Sequence, residues 1–209
     1  MPGPGHFISF EGIDGSGKST QARLLAQNLR DAGHVVTLTR EPGGRPGAED
    51  IRRLVLEGDP GRWSAETEIL LFTAARRDHL EKTIRPALEK GTIVITDRFA
   101  DSTRVYQGIT RGDLRATVDR LHDLMIATEP ALTLLIDIDP ATGLSRAVAR
   151  RTSERRFEDM GLAMQSAMRA GFLALAQANP ARFAVIDGAR PPEAVAEDIL
   201  RSALARLPR

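Results

Sequence analysis

Gly12-Ile13-Asp14-Gly15-Ser16-Gly17-Lys18-Ser19-Thr20 fills the pattern G-x-x-x-x-G-K-[ST], directly after the apolar run Phe7-Ile8-Ser9-Phe10 and before the helix-like stretch Gln21 to Leu29. This is a phosphate-binding loop in its strand-to-helix context. Its glycines let the backbone fold tightly enough to aim successive N–H groups at a phosphate, and the positive end of the following helix adds to the same spot. In this reading the whole stretch cradles a nucleotide, with Lys18 reaching the β- and γ-phosphates and Ser19 holding Mg2+. Average residue frequencies give about one such octapeptide per hundred chains of this length. Here the chance is lower still, because only three of the 29 basic residues are lysines: Lys18, Lys82 and Lys90.

Outward from the loop, five short runs rich in Val, Ile, Thr and Phe read as strands: Phe7 to Phe10, Val35 to Thr39, Thr92 to Thr96, Leu132 to Ile138 and Phe183 to Ile186. They are nearly continuous rather than alternating, which suits strands buried on both faces. Between them lie stretches with apolar spacings of three and four, such as Leu114, Val118, Leu121 and Met125. Strands alternating with helices predict a parallel sheet wrapped by helices. Gly33 and Gly91 fall where helices should stop, Ser64 with Glu66 and Glu68 reads as a capped helix start, and Pro140 and Pro191 stand at helix starts. The nearly all-polar segment Arg150-Arg151-Thr152-Ser153-Glu154-Arg155-Arg156 interrupts two helical patterns and reads as a flap.

Composition bounds the answer. The 209 residues suffice for a full core and fit one domain, residues 1–209, and 42% hydrophobic with 27% charged residues is the balance of a globular protein. No run of about 18 apolar residues exists to span a membrane. The start Met1-Pro2-Gly3-Pro4-Gly5 lacks the basic and apolar regions of a secretory signal, so the expected compartment is the cytoplasm. With no cysteine there is no disulfide, thiolate metal site or thiol nucleophile. A net charge of +1 and nine aromatics argue against a nucleic-acid partner. Arginines make up 26 of the 29 basic residues, a type suited to bidentate phosphate contacts, although a compositional bias explains most of them.

In an open α/β sheet ligands gather beyond the carboxyl ends of the strands. Those ends bring Asp14, the stretch Arg40-Glu41-Pro42-Gly43-Gly44 and the pair Asp97-Arg98 toward one cleft. Asp97 closes an apolar strand with a carboxylate, as a Mg2+-associated acid does; the alternatives are a helix cap or an ion pair with Arg98. His6, His34, His79 and His122 fall in no metal or catalytic spacing and read as structural or surface residues. No N-K-x-D motif is present, which argues against a G-type switch.

Thr39-Arg40-Glu41-Pro42-Gly43-Gly44, Asp97-Arg98-Phe99 and Ser102-Thr103-Arg104-Val105-Tyr106-Gln107-Gly108, joined to the phosphate loop, resemble bacterial thymidylate kinase (dTMP kinase). The likeness runs from about Phe7 to Leu204. It implies an α/β P-loop NTPase fold, a five-stranded parallel sheet flanked by helices on both faces with a mobile lid at about 146–159. It also implies ATP and Mg2+ as cofactors, dTMP as the small-molecule substrate, and a homodimer. Catalysis of this kind rests on positioning and charge neutralisation, because the attacking phosphate is already largely ionised near neutrality.

The resemblance also suggests roles. Phe72 would stack on thymine and Arg76, one turn later on the same face, would bond its edge; plain core packing is the other reading of Phe72. Arg52 and Arg98 are similar to the residues that hold the dTMP phosphate, Glu41 and Pro42 would line the nucleoside, and Asp14 would take the sugar 3′-hydroxyl. Ser102, Thr103 and Gln107 would contact the substrate. Tyr106, the lone tyrosine, would exclude a ribose 2′-hydroxyl, unless it is simply a buried aromatic. Ser19 and Asp97 are the metal-associated pair. Lys18, Asp14 and Arg98 join a lid arginine in catalysis, for Gly15 places the chain with relatives that carry glycine in the loop and arginine in the lid. Arg150 and Arg156 are the lid candidates, with Arg151 and Arg155 as alternatives, because Glu154-Arg155-Arg156 departs from the usual acidic residue before that arginine.

Overall fold

A computed structural model describes residues 5–59, 61–149 and 161–207. Among them, β1 (His6–Glu11), β2 (Val36–Arg40), β3 (Ile93–Asp97), β4 (Leu132–Asp137) and β5 (Phe183–Asp187) form one parallel sheet in the order β2-β3-β1-β4-β5. The strand carrying the phosphate loop is therefore central. All five strands end on a charged residue, Glu11, Arg40, Asp97, Asp137 and Asp187, at the carboxyl edge. Apolarity stops one residue too early to find those ends, since pairing continues through the charge, as in Phe10 with Asp97 and Asp137 with Asp187. Leu132 to Ile138 is the exception, ending at Asp137. Val35 to Thr39 reads as doubly buried, but β2 is an edge strand with half-exposed residues.

Helices α1 (Lys18–Asp31) and α9 (Pro192–Leu204) cover one face, where Leu25, Leu29 and Ile199 pack on Ile8, Phe10, Ile95 and Leu134. The other face is two clusters. Val105, Met168 and Phe172, from α5 (Ala100–Tyr106) and α8 (Gly161–Ala178), meet Leu135 in one; Leu80, Ile84 and Phe99 meet Phe7 and Val94 in the other. Burying each such side chain removes apolar surface worth about 1.5–3 kcal/mol. The remaining helices are α2 (Pro46–Leu56), α3 (Ala65–His79), α4 (Arg85–Glu89), α6 (Arg115–Met125) and α7 (Pro140–Ala149).

Local chemistry accounts for several boundaries. Ser64 caps α3 by accepting the Thr67 N–H at 3.1 Å. The stretch Ser64 to Glu89 is a single run, but a π-helical turn at Leu80–Ile84 separates α3 from α4. Pro86 has no N–H to give the Lys82 carbonyl. That carbonyl accepts from Arg45 at 3.0 Å instead. At the start of α5, buried Asp101 is held by Arg104 at 2.9 Å and by Arg182 of the loop before β5 at 2.6 Å. Of the expected lid, residues 146–149 close α7, while 150–160, including Arg150 and Arg156, lie outside the described residues.

Candidate active site

The carboxyl ends of β1, β2 and β3 open into a cavity of about 670 Å³. Asp14, Gly15, Gly17, Lys18 and Ser19 line it from the loop; Glu41, Pro42, Arg52, Phe72, Arg76, Asp97, Arg98, Ser102, Thr103, Tyr106 and Gln107 line the rest. Gly12, Ile13, Ser16 and Thr20 complete the loop without lining the cavity. Ile13 is buried in the core, its carbonyl accepting from Lys18 Nζ at 2.8 Å, and the Ser16 hydroxyl lies 3.4 Å from the same ammonium. Gly15 has φ +78°, and a Cβ there would overlap the Gly143 carbonyl at the start of α7. The loop is thus seated on backbone, and no side chain fits at this position.

In the first turn of α1 the Thr20 and Gln21 N–H groups bond the Gly17 carbonyl at 3.0 Å, which leaves those of Lys18 and Ser19, with the Lys18 side chain, as the anion-binding donors. Burial pushes the Lys18 ammonium down to about 8, with Arg98 adding to the effect and Asp14, Asp97 and Glu11 opposing it. A bound polyphosphate would favour the charged form.

Arg98 organises the centre of the site. Its backbone is left-handed, φ 72°, a conformation that costs about 1–2 kcal/mol outside glycine. The fold holds it there: the Arg98 N–H bonds the Phe10 carbonyl at 2.9 Å, and the guanidinium reaches Asp14 (2.5 Å), Ser102 (2.8 Å), Tyr106 (3.0 Å) and the Gly12 carbonyl (3.2 Å). Burial alone would raise the Asp14 carboxyl, but Arg98, Lys18 and the Tyr106 hydroxyl together hold it below the ordinary value. Burial opposes charge on Arg98 too, and is outweighed by the carboxyl groups around it, Asp14 with Glu11 and Asp97. Burial, reinforced by Asp14, keeps the Tyr106 phenol protonated.

Phe72 and Arg76, which both line the cavity, lie one turn apart on α3. Arg76 Nε donates to Glu41 at 2.7 Å, and NH2 donates to the Phe99 carbonyl at 3.1 Å and to Thr103 Oγ1 at 3.0 Å. NH1 has no acceptor among the described residues, on a side chain that lines the cavity. Position separates the adjacent arginines: Arg77 bonds Glu81 and the Met125 carbonyl away from the cleft. Likewise Arg52 lines the cleft and donates to the Pro42 carbonyl at 2.6 Å, whereas Arg53 pairs with Asp50 in solvent.

The Ser19 hydroxyl donates to Asp97 across 78 residues of sequence. Two oxygen donors at the loop fit Mg2+, which takes few protein ligands and completes its shell with phosphate oxygens and water. No cluster of three or more His, Cys, Asp or Glu that would suit another metal occurs among the described residues.

Three buried residues behind the cavity wall were not among the expected site residues. Glu11 accepts from the Phe99 N–H (2.8 Å), the Ser102 N–H (3.3 Å) and the Ser102 hydroxyl (2.6 Å), fixing the turn that presents Arg98. Burial lifts its carboxyl to about 7, Asp101 adding and Arg98 opposing. The signal was available, since Glu11 ends an apolar strand as Asp97 does. Glu68 accepts from Gln107 Nε2 at 2.9 Å and pairs with Arg111. His79 is structural rather than surface, wholly buried behind Glu41; nothing in its spacing announces this.

The thymidylate kinase family model matches residues 10–199. The chain belongs to the thymidylate kinase family. The thymidylate kinase of Ruegeria pomeroyi is 68% identical over 100% of this chain and 99% of its own length, and that of Geobacter sulfurreducens is 47% identical over 98% and 99%. The crystal structure of thymidylate kinase from Ehrlichia chaffeensis superposes with a TM-score of 0.77 at 35% identity, covering 96% of this chain and 99% of that one. The α/β fold with its parallel five-stranded sheet is thus the thymidylate kinase fold.

Proposed function

We propose that the chain is an ATP-dependent dTMP kinase in which an oxygen of the dTMP phosphate attacks the γ-phosphorus of ATP, the bond to the β–γ bridging oxygen breaks, and dTDP and ADP leave. The observation that supports this is a single cavity lined by the loop lysine, the start of α1, Arg98 and the Phe72–Arg76 pair. Nothing in this chemistry calls for a strong base, because a phosphate monoester is already largely dianionic near pH 7. The task is to bring two polyanions together in dry, cationic surroundings.

Lys18 and the loop N–H groups hold the ATP phosphates, while Arg98 and Arg52 hold the acceptor phosphate. Asp14, kept ionised by its neighbours, accepts from the sugar 3′-hydroxyl. Tyr106 fills the space a 2′-hydroxyl would need. Phe72 stacks on thymine, and Arg76 offers NH1 to a carbonyl of its edge; a guanidinium only donates, so it does not suit the amino group of cytosine. Glu41, Pro42, Thr103, Ser102 and Gln107 complete the nucleoside pocket. Ser19 and Asp97 would hold Mg2+, whose charge neutralises phosphate oxygens when bound.

The reading extends to one domain over 1–209 with a lid arginine, Arg150 or Arg156, closing over the nucleotide. It also extends to a cytoplasmic protein without a nucleic-acid partner; no helix among the described residues is long and apolar enough to cross a membrane. A homodimer is part of the proposal, supported by the exposed apolar side chains Leu70 on α3 and Leu124 and Met125 on α6.

The test is ADP release from Mg2+-ATP with dTMP, dUMP, ribose-TMP, AMP, CMP and thymidine offered separately. Strong preference for dTMP with thymidine inert is expected. Equal turnover of the monophosphates, or none with dTMP, would overturn the assignment.

A further inference from the structure

His79 stands three residues after Arg76 on α3, so the two share a helix face. Its side chain is 0% exposed, and Glu41 and Arg76 beside it are 3% and 5% exposed. His79 Nδ1 lies 3.0 Å from Oε1 of Glu41, and its Nε2 lies 2.7 Å from Oγ1 of Thr39. The other oxygen of Glu41 accepts from Arg76 Nε at 2.7 Å. A carboxylate so placed against a guanidinium accepts hydrogen bonds and donates none. Whether the imidazole is neutral or charged, the hydrogen on Nδ1 therefore points at Glu41.

The segment from Thr39 to Gly44 converges on this ring. Thr39 bonds its far nitrogen, Glu41 its near one, and a Cβ at Gly44 would come within 2.8 Å of Nε2. Glu41 is thus tied at both oxygens and cannot turn without breaking one bond. The guanidinium is held at two nitrogens, Nε by Glu41 and NH2 by the Phe99 carbonyl (3.1 Å) and Thr103 Oγ1 (3.0 Å), so a turn of Glu41 releases one of its two anchors and with it the aim of NH1, which is left without an acceptor among the described residues. The Phe99 ring, 5.2 Å from the guanidinium carbon, covers one face of that group but does not set its rotation in plane.

We infer that His79 is a positioning residue for nucleobase recognition: through Glu41 it fixes the guanidinium of Arg76 so that NH1 faces the base of the acceptor nucleotide. The inference rests on the reading of Arg76 as the residue that meets the base, and it adds the element that aims it.

Steady-state kinetics of His79→Leu, His79→Asn and Arg76→Met decide the matter, with dTMP and dCMP as acceptors and thermal midpoints measured alongside. His79→Leu removes the bond to Glu41, while the amide nitrogen of asparagine can stand where Nδ1 stood. Losing one charge-assisted bond that aims a donor should raise KM for dTMP roughly tenfold. The kcat should stay within about twofold, KM for ATP should not change, and the preference for dTMP over dCMP should shrink. His79→Asn should recover most of KM. An unchanged KM for dTMP in His79→Leu, equal behaviour of the Leu and Asn variants, or a matching rise in both KM values would overturn the inference.

Should His79→Leu not fold, His79→Gln takes its place. Its amide nitrogen stands near the Nε2 position, so it should raise KM where Asn does not, and equal values would again sink the idea. Arg76→Met separates the layers. If it leaves acceptor preference intact, the reading of Arg76 fails and the inference with it; if it abolishes preference while His79→Leu does not disturb it, the inference alone fails.

Discussion

Replacing Glu11 by glutamine should flatten the pH dependence of stability between pH 4.5 and 7. The carboxyl is fully buried at the end of the central strand, and burial holds it protonated up to about pH 7 against an ordinary value of 4.5. Between those values the native state binds a proton that the unfolded chain has released, so stability falls as pH rises. The contribution is complete below about pH 4.5 and gone above about pH 7. Its size, at 1.36 kcal/mol per pH unit, is about 3 kcal/mol. Glutamine does not titrate, and its amide oxygen can keep the bonds from the Phe99 and Ser102 N–H groups. Its nitrogen donates to Ser102 Oγ, where the carboxylate accepted.

The assay is urea or thermal unfolding of both proteins at pH 5 and pH 8.5. Other titrating groups cancel in the difference between the two proteins. At pH 8.5 the difference should favour the glutamine variant by about 2.5 kcal/mol more than at pH 5, where part of the effect is already spent; for a chain of this length that is roughly 5–10 °C in Tm. Parallel profiles would refute the reasoning and show that Glu11 is ionised in the folded protein across this range.

Four further outcomes are expected. Phe72→Ala should raise KM for dTMP about 10- to 100-fold through lost stacking, with KM for ATP within about twofold, as steady-state kinetics with each substrate varied will show. Gly15→Ala should weaken ATP binding at least about tenfold, measured by calorimetry, because its Cβ meets the Gly143 carbonyl at a positive φ; wild-type affinity would contradict the seating of the loop. Arg104→Met leaves buried Asp101 with Arg182 as its remaining ion-pair partner and should lower stability by about 1.5–3 kcal/mol, seen in urea unfolding. Asp97→Asn should raise the Mg2+ concentration for half-maximal turnover about tenfold, against an unchanged requirement if Asp97 only caps Ser19.

Much of this protein is written locally. The strand, the glycine loop and the helix from Phe7 to Leu29 are contiguous, and each residue's task there depends on neighbours within a few positions. The same holds for the Ser64 cap, the helix stop at Gly91 and the one-turn spacing of Phe72 and Arg76. The strand cores were legible because buried parallel strands are continuous runs of Val, Ile and Phe. Arg52 was separable from Arg53 only through the resemblance, and Arg76 from Arg77 only by its spacing from Phe72.

What the tertiary structure decided are the contacts between residues far apart in the chain. The sheet order puts β3 beside β1, which sets Asp97 against Ser19 and Ser102 against Glu11. It also puts β2 at an edge, so Val36 to Thr39 are only half-buried despite the apolar run, and Val35, just before the strand, is 73% exposed. The aim of Arg76 depends on Glu41 and His79, whose meeting needs α3 to lie beneath the turn after β2. Sequence fixes such groups only through burial: a charge taken out of water must find its partner wherever the packed elements bring one, and no local pattern names that partner.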